Sequence, residues 1–399
     1  MFIELLIAIL LGCIAGTITG LIPGVHINLV AVSIFAVSPF LLNFTSPLIL
    51  AAFIISMSIT HTFTDFIPSC FLGAPESETA LSVLPAHRLL LRGLSYEAIF
   101  LTVFGGLFSL IITIMLIPLI IVTLKEIYPI LRTYIGYILI IVSLFLILKE
   151  RKSKYFALIV FLLSGVLGLA TFKLRLSEPL FPLLSGLFGI SILMMSIKDK
   201  IKIPEQKINK IIIDKKTGFK SIISSVLVGT FSSFLPGLGP AQAAIITSQL
   251  FKKMSIRGFL IIVGALNTIN MIISFVTLYV IDKARNGSIV IMSKILGIFN
   301  LETLILSIGI ILISGAIAAI ITLKLSKVFT RLISKLNYQK LCLSIILFVT
   351  ILVMIITGFY GLLVLVVATF VGMLPTLKGI GKSHLMGCLL LPVILYFIL

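Results

Sequence analysis

Charge is scarce in this sequence: 11% of its 399 residues are Asp, Glu, Lys or Arg, against 60% that are hydrophobic. No soluble fold has a core large enough to absorb that much apolar surface, so water-soluble classes are excluded. Short segments of alternating polarity are missing too, which excludes an outer-membrane β-barrel. Cys13, Cys70, Cys342 and Cys388 stand singly, without CxxC spacing or neighbouring histidines, so they read as packing thiols rather than zinc ligands. There is no nucleophile-base-acid set, HExxH helix, Walker loop or dinucleotide fingerprint. Enzyme chemistry has little support, an intramembrane enzyme using His26, His61 and Asp65 ranking last, and neither a cofactor nor a resident metal is expected.

What is present is a series of continuous apolar runs, clearest at 99–119, 134–148, 156–172, 259–280 and 303–323. Each can cross, or nearly cross, the roughly 30 Å hydrocarbon layer as a helix. The first run, 2–22, has no basic leader, carries Glu4 and leads into Gly-Pro sequence instead of a cleavage site, so it reads as mature protein. The net charge of +18 is gathered in short connections, where it reports topology and not nucleic-acid binding. The basic loop 198–220 is assigned to the cytoplasm, as are the clusters at 149–154, 252–257 and 324–340. Connections carrying Lys125 and Arg132, Lys173 and Arg175, and Lys283, Arg285 and Lys294 then face outward. These assignments predict a multi-pass protein of the cell membrane, among lipid, with its N-terminus outside.

The two halves resemble each other. GTITGLIPG at 16–24 aligns with GTFSSFLPG at 229–237, sharing Gly, Thr, Pro and Gly in register. Glu97 and Glu302 each open a long apolar helix, but the charge map puts those helix starts on opposite sides. The expected fold is therefore an all-α polytopic membrane protein of two inverted-topology repeats, each holding a Pro-Gly broken-helix hairpin and about five transmembrane helices. Residues 1–200 form the first repeat, 201–218 a basic cytoplasmic linker and 219–399 the second.

Pro lacks a backbone donor and Gly allows close backbone approach, so helices should break at Pro23-Gly24 and at Pro236-Gly237 with Gly239. Matched broken helices point to a transporter's binding site, because freed amides and carbonyls can hold solute or ions. His26, Asn28 and Gln242 follow the breaks; they contact solute or bond a neighbouring helix. Thr60, Thr64 and Asp65 gather oxygen atoms at the end of an apolar helix, suited to Na⁺ coordination or proton exchange, or to a solvated helix end. Asn267 and Asn270 lie within an apolar run and must face protein or water. His384 is expected at the membrane interface.

At these residues the sequence resembles the TctA family, the large permease subunit of tripartite tricarboxylate transporters, as a divergent or archaeal-type member. Residues 229–240 are similar to its LPGLGP-type signature and 20–25 to the first-half counterpart, which here reads PGVHIN onward from Pro23. Gly73, Ala74, Pro75 and Thr79 resemble its PG-containing segment, and Asn267 and Asn270 its Asn-containing stretch. The resemblance implies a permease driven by an ion gradient, working with a small membrane subunit and an extracytoplasmic solute-binding protein. Together these readings predict a secondary transporter for a small organic anion, such as a di- or tricarboxylate, coupled to Na⁺ or H⁺. The alternative from the same broken helices is a lipid-phosphate translocase.

Overall fold

Proline, glycine and polar caps divide the chain into helices where their chemistry demands. The computed structural model describes residues 2–22, 27–72, 83–198, 203–235, 238–251 and 254–399. Helix α1 (Phe2–Leu21) stops just before Pro23, and α2 (Ile27–Leu41) follows. Ser46 caps α3 (Pro47–Thr64) by accepting the Ile49 amide, with Pro47 in the first turn, where its missing donor costs nothing. Then come α4 (Phe66–Phe71), α5 (Val83–Leu90), α6 (Ser95–Leu148) and α7 (Lys154–Lys173). The first half closes with α8 (Leu180–Leu184), a π-helical turn at Ser185–Ile190, and α9 (Ser191–Lys198).

The second half repeats the opening: α10 (Lys215–Phe234), capped by Asp214, ends just before Pro236, and α11 (Pro240–Leu250) restarts the chain. After it come α12 (Ile256–Ile281), α13 (Gly287–Leu296), α14 (Leu301–Ile333) and α15 (Tyr338–Lys378). A 3₁₀ turn at Lys382–Met386 leads into α16 (Gly387–Ile398). No described residue is in a strand, and eight helical segments are long and apolar enough to cross a membrane.

One expectation is corrected. Lys125 and Arg132 do not mark a loop: α6 is helical through both for 54 residues, about 80 Å at 1.5 Å per residue. Pro118 and Pro129 lie inside it, and its apolar windows are Ser95–Leu131 and Thr133–Leu148. Helix α15 shows the opposite device, bending at Gly358 through a left-handed φ of 68° that only glycine adopts easily. His384 is 2% exposed, enclosed by the protein beside the 149–154 connection. Its Nε2 lies 3.0 Å from Glu150 Oε2, which also accepts the Gly381 amide at 2.9 Å.

Helix α1 shows how the bundle packs. Ile3, Ile7, Leu10, Ile14 and Ile18 are exposed along one stripe, suited to lipid, while Gly12, Gly16 and Gly20 line the other face. A Cβ at these glycines would collide with the Phe53 carbonyl, the Met57 carbonyl and the Thr64 hydroxyl of α3. Hydrocarbon offers helices no hydrophobic drive to associate, so dispersion across such close contacts takes over. Helix α12 is apolar nearly all round and almost wholly buried, which makes it the central post. Glu97 at the start of α6 pairs with Arg257 at the start of α12.

Helix pairings recur between the halves. Helix α1 packs on α3 as α10 packs on α12, and α3 lies against α14 as α12 lies against α6. Helix α7 meets α16 as α15 meets the π-helical turn. The tight glycines recur as well: Gly168 and Gly387 abut the carbonyls of Cys388 and Phe161, and Gly186 and Gly372 those of Leu365 and Leu187. All four cysteines are buried thiols.

Gly16→Leu should overpack the α1–α3 contact and cost about 1–3 kcal/mol, lowering the thermal unfolding midpoint in detergent. Gly309→Ala, where a Cβ meets nothing within 4 Å, should leave that midpoint unchanged or raise it. Burial opposes ionisation of Glu150, but the Gly381 and Lys152 amides and His384 outweigh it, bringing the carboxyl from 4.5 down to about 2. Its contribution to stability should be complete above about 4.5 and lost as pH falls toward 2. In Glu150→Gln the pH dependence of unfolding across that window should flatten.

Candidate functional site

Pro68 sets the geometry of the site. Lacking an N–H, it cannot bond the carbonyl of Thr64, four residues earlier, and helix α3 ends at that residue. Asp65 forms the joint between α3 and α4, and Ser69 Oγ donates to its carbonyl at 2.9 Å. The Asp65 side chain is thereby held inside the protein, 2% exposed. From the middle of α12, Asn267 Nδ2 donates to Asp65 Oδ2 at 3.0 Å and to the Thr62 carbonyl at 3.1 Å. With two acceptors fixing its amide, Asn267 leaves Oδ1 buried and without a partner among the described residues.

The ends of both interrupted helices flank this pair. At the end of α1, a Cβ on Gly20 would touch the Thr64 hydroxyl and the Asp65 amide. At the end of α10, Ser233 Oγ donates to Asn270 Oδ1 at 3.3 Å, one turn from Asn267. Thr62 on α3 with Asp65 just past its end, and Asn267 and Asn270 on α12, thus hold similar places beside α1 and α10. A buried carboxylate among carbonyl and amide oxygens can bind a hard cation or exchange a proton. No group of three or more His, Cys, Asp and Glu residues able to hold a metal occurs among the described residues.

The other expected site residues fall differently. Thr64 Oγ1 lies within reach of the carbonyls of Thr60 at 3.1 Å, Gly16 at 3.2 Å and His61 at 3.3 Å, so it ties α3 to α1. Thr60 packs on Gly16 in the same seam. Asn28 accepts the Ser288 amide at 3.0 Å, joining α2 to the first turn of α13. Gln242 Oε1 accepts the Gly239 amide at 3.0 Å at the start of α11, while its Nε2 is buried and has no partner among the described residues. Pro23, Gly24, His26, Pro236 and Gly237 lie outside the described residues, as do Gly73, Ala74, Pro75 and Thr79.

Sequence reasoning missed Ser233 and Arg285. The Arg285 guanidinium donates to the carbonyl of Phe234, the last residue of α10, and lies 5.9 Å from the Tyr128 ring centroid. A cation suits that helix end, where the dipole is negative. Ser274 Oγ holds the loop by accepting the amides of Arg285 at 2.8 Å and Asn286 at 3.0 Å. Only its position in a sparsely charged connection set Arg285 apart in the sequence.

Residues 6–387 match the family described as the tripartite tricarboxylate transporter TctA family. The chain belongs to the TctA family. An uncharacterized protein of the archaeon Methanocaldococcus jannaschii is 35% identical over 407 residues, covering 98% of this chain and 99% of the relative. No solved structure matches. Membership makes the chain a multi-pass membrane protein of a transporter family, and its interrupted helices fall on the sequence the family resemblance singled out.

Removing the Asn267 amide strips a donor from a buried carboxylate, so Asn267→Ala should cost about 1–3 kcal/mol of stability. Asn267→Asp should cost more, since it sets a second acid against Asp65. Thermal unfolding of both variants at neutral pH, compared with Asn270→Ala, checks the ordering.

Proposed function

We propose that this TctA-family protein is a cation-coupled permease for a small organic anion of the carboxylate class, with coupling at Asp65 and Asn267. The observation that carries this reading is the buried Asp65–Asn267 pair held between the ends of α1 and α10. A carboxylate this buried is costly in a membrane protein, and such groups mark ion or proton paths. The anion is received at the start of α11, where the helix N-terminus favours negative charge and Gln242 Nε2 has hydrogen bonds to give.

The recurrence of helix pairings and tight glycines supports two inverted repeats, residues 1–200 and 219–399, joined by a basic cytoplasmic linker. Alternating access is then rocking of one set of elements against another around the α1 and α10 ends. Family membership favours a solute permease over a lipid-phosphate translocase and makes a small membrane subunit and an extracytoplasmic binding protein its natural partners. The protein lies in the cell membrane with its N-terminus outside.

Proteoliposomes given labelled citrate or succinate under an inward Na⁺ or H⁺ gradient test this. Asp65→Asn should keep citrate binding within about threefold while lowering gradient-driven uptake at least tenfold, the split expected of a coupling group. Gradient-driven uptake at the wild-type rate in that variant would show that coupling lies elsewhere.

A further inference from the structure

Lysine is rare inside membrane proteins, where a buried ammonium pairs with an acid or backbone carbonyls or faces a water-filled cavity. Lys382 opens the 3₁₀ turn before α16 and is only 5% exposed. Its Nζ donates to Ser191 Oγ at 3.1 Å, and Ser191 gives its own proton to the Leu187 carbonyl at 2.7 Å. That is one partner for three N–H donors among the described residues. No carboxylate of the described residues pairs with it. Glu150, the acid that reaches this turn, is engaged with His384 and with the amides of Gly381, Arg151 and Lys152.

The surroundings are built, and they adjoin the second interrupted helix. Ser191 directly follows the π-helical turn Ser185–Ile190, an irregularity frequent at functional sites. The 3₁₀ turn packs against α11. Leu235, Leu238 and Ala241 share one apolar cluster with Leu187, Leu385 and Met386. Phe234, Ala243 and Ala244 belong instead to the cluster that contains Phe63 and Phe66, beside Asp65. The described ends of α10 and α11 therefore contact both the cluster beside Asp65 and the cluster beside the buried lysine.

We propose that the Lys382 ammonium, positioned by Ser191, is the cationic anchor that binds a carboxylate group of the transported anion beside the start of α11. The assignment rests on the organic-anion reading above and adds the group that neutralises the cargo. Coupling and anion binding then occupy two flanks of one interrupted helix. A bridge between α9 and the 3₁₀ turn is the competing role for Lys382. It predicts that losing the amine destabilises the fold without touching affinity.

The test is isothermal titration of citrate and succinate into the purified full-length protein, with unfolding midpoints measured in parallel without ligand. Lys382→Met should leave the ligand-free midpoint unchanged or higher, because an unpaired buried charge is gone, and should weaken citrate binding at least about tenfold. Lys382→Arg, which keeps the charge, should lose less affinity than Lys382→Met. Wild-type affinity in Lys382→Met, with wild-type protein binding citrate, overturns the lysine assignment and leaves the carboxylate reading standing. Failure of the wild type to bind either probe overturns that reading and the lysine assignment with it. If Lys382→Met does not fold, Ser191→Ala decides: the proposal expects weaker citrate binding at a normal midpoint, and an unchanged affinity overturns it.

Discussion

Hydrocarbon cannot hydrogen-bond a peptide group, so a chain that breaks its helices within a membrane must wrap each break in protein. Everything distinctive about this structure answers to that constraint. The breaks after α1 and α10 come where Pro and Gly make helix untenable. The freed groups at their edges find named partners: Gly239 N–H goes to Gln242, and the Phe234 carbonyl accepts from Arg285. Helices α3 and α12 approach α1 and α10 closely because Gly12, Gly16, Gly20 and Gly229 carry no side chain.

The same constraint accounts for polar residues at the α3–α4 joint and in the middle of α12. Asp65, Asn267 and Asn270 would be expensive against lipid, yet here they face one another and the ends of the interrupted helices. The same reasoning separates positions that look alike in the sequence. Thr64 and Asn28 are polar and close to the breaks, but their bonds to Gly16 and Ser288 hold helices together.

Helix interruptions were legible in the sequence because Pro and Gly act locally, through one missing donor or one missing Cβ. The apolar runs were legible because span length is a local property too. The connection expected at Lys125 and Arg132 was not a loop: a rise in polarity marks where a helix leaves lipid, not where its hydrogen bonding stops. The burial of His384 depends on Glu150, 234 positions earlier, and no local pattern reports such a contact. Asp65 and Asn267 were each visible as misplaced polar residues, whereas their bond is a product of the folded bundle. Lys382 escaped notice because a lysine before a final apolar segment reads like any interfacial charge.

The Asp65–Asn267 bond spans 202 positions of chain. Membrane proteins are inserted as they are synthesised, and at about 5–20 residues per second the ribosome needs about 10–40 s to make that interval. For that time α3 must rest in or beside the bilayer with its buried acid lacking the amide that will later hold it. The nascent first half is therefore a waiting intermediate, and the arrival of α12 marks the moment in biogenesis when the bundle can lock.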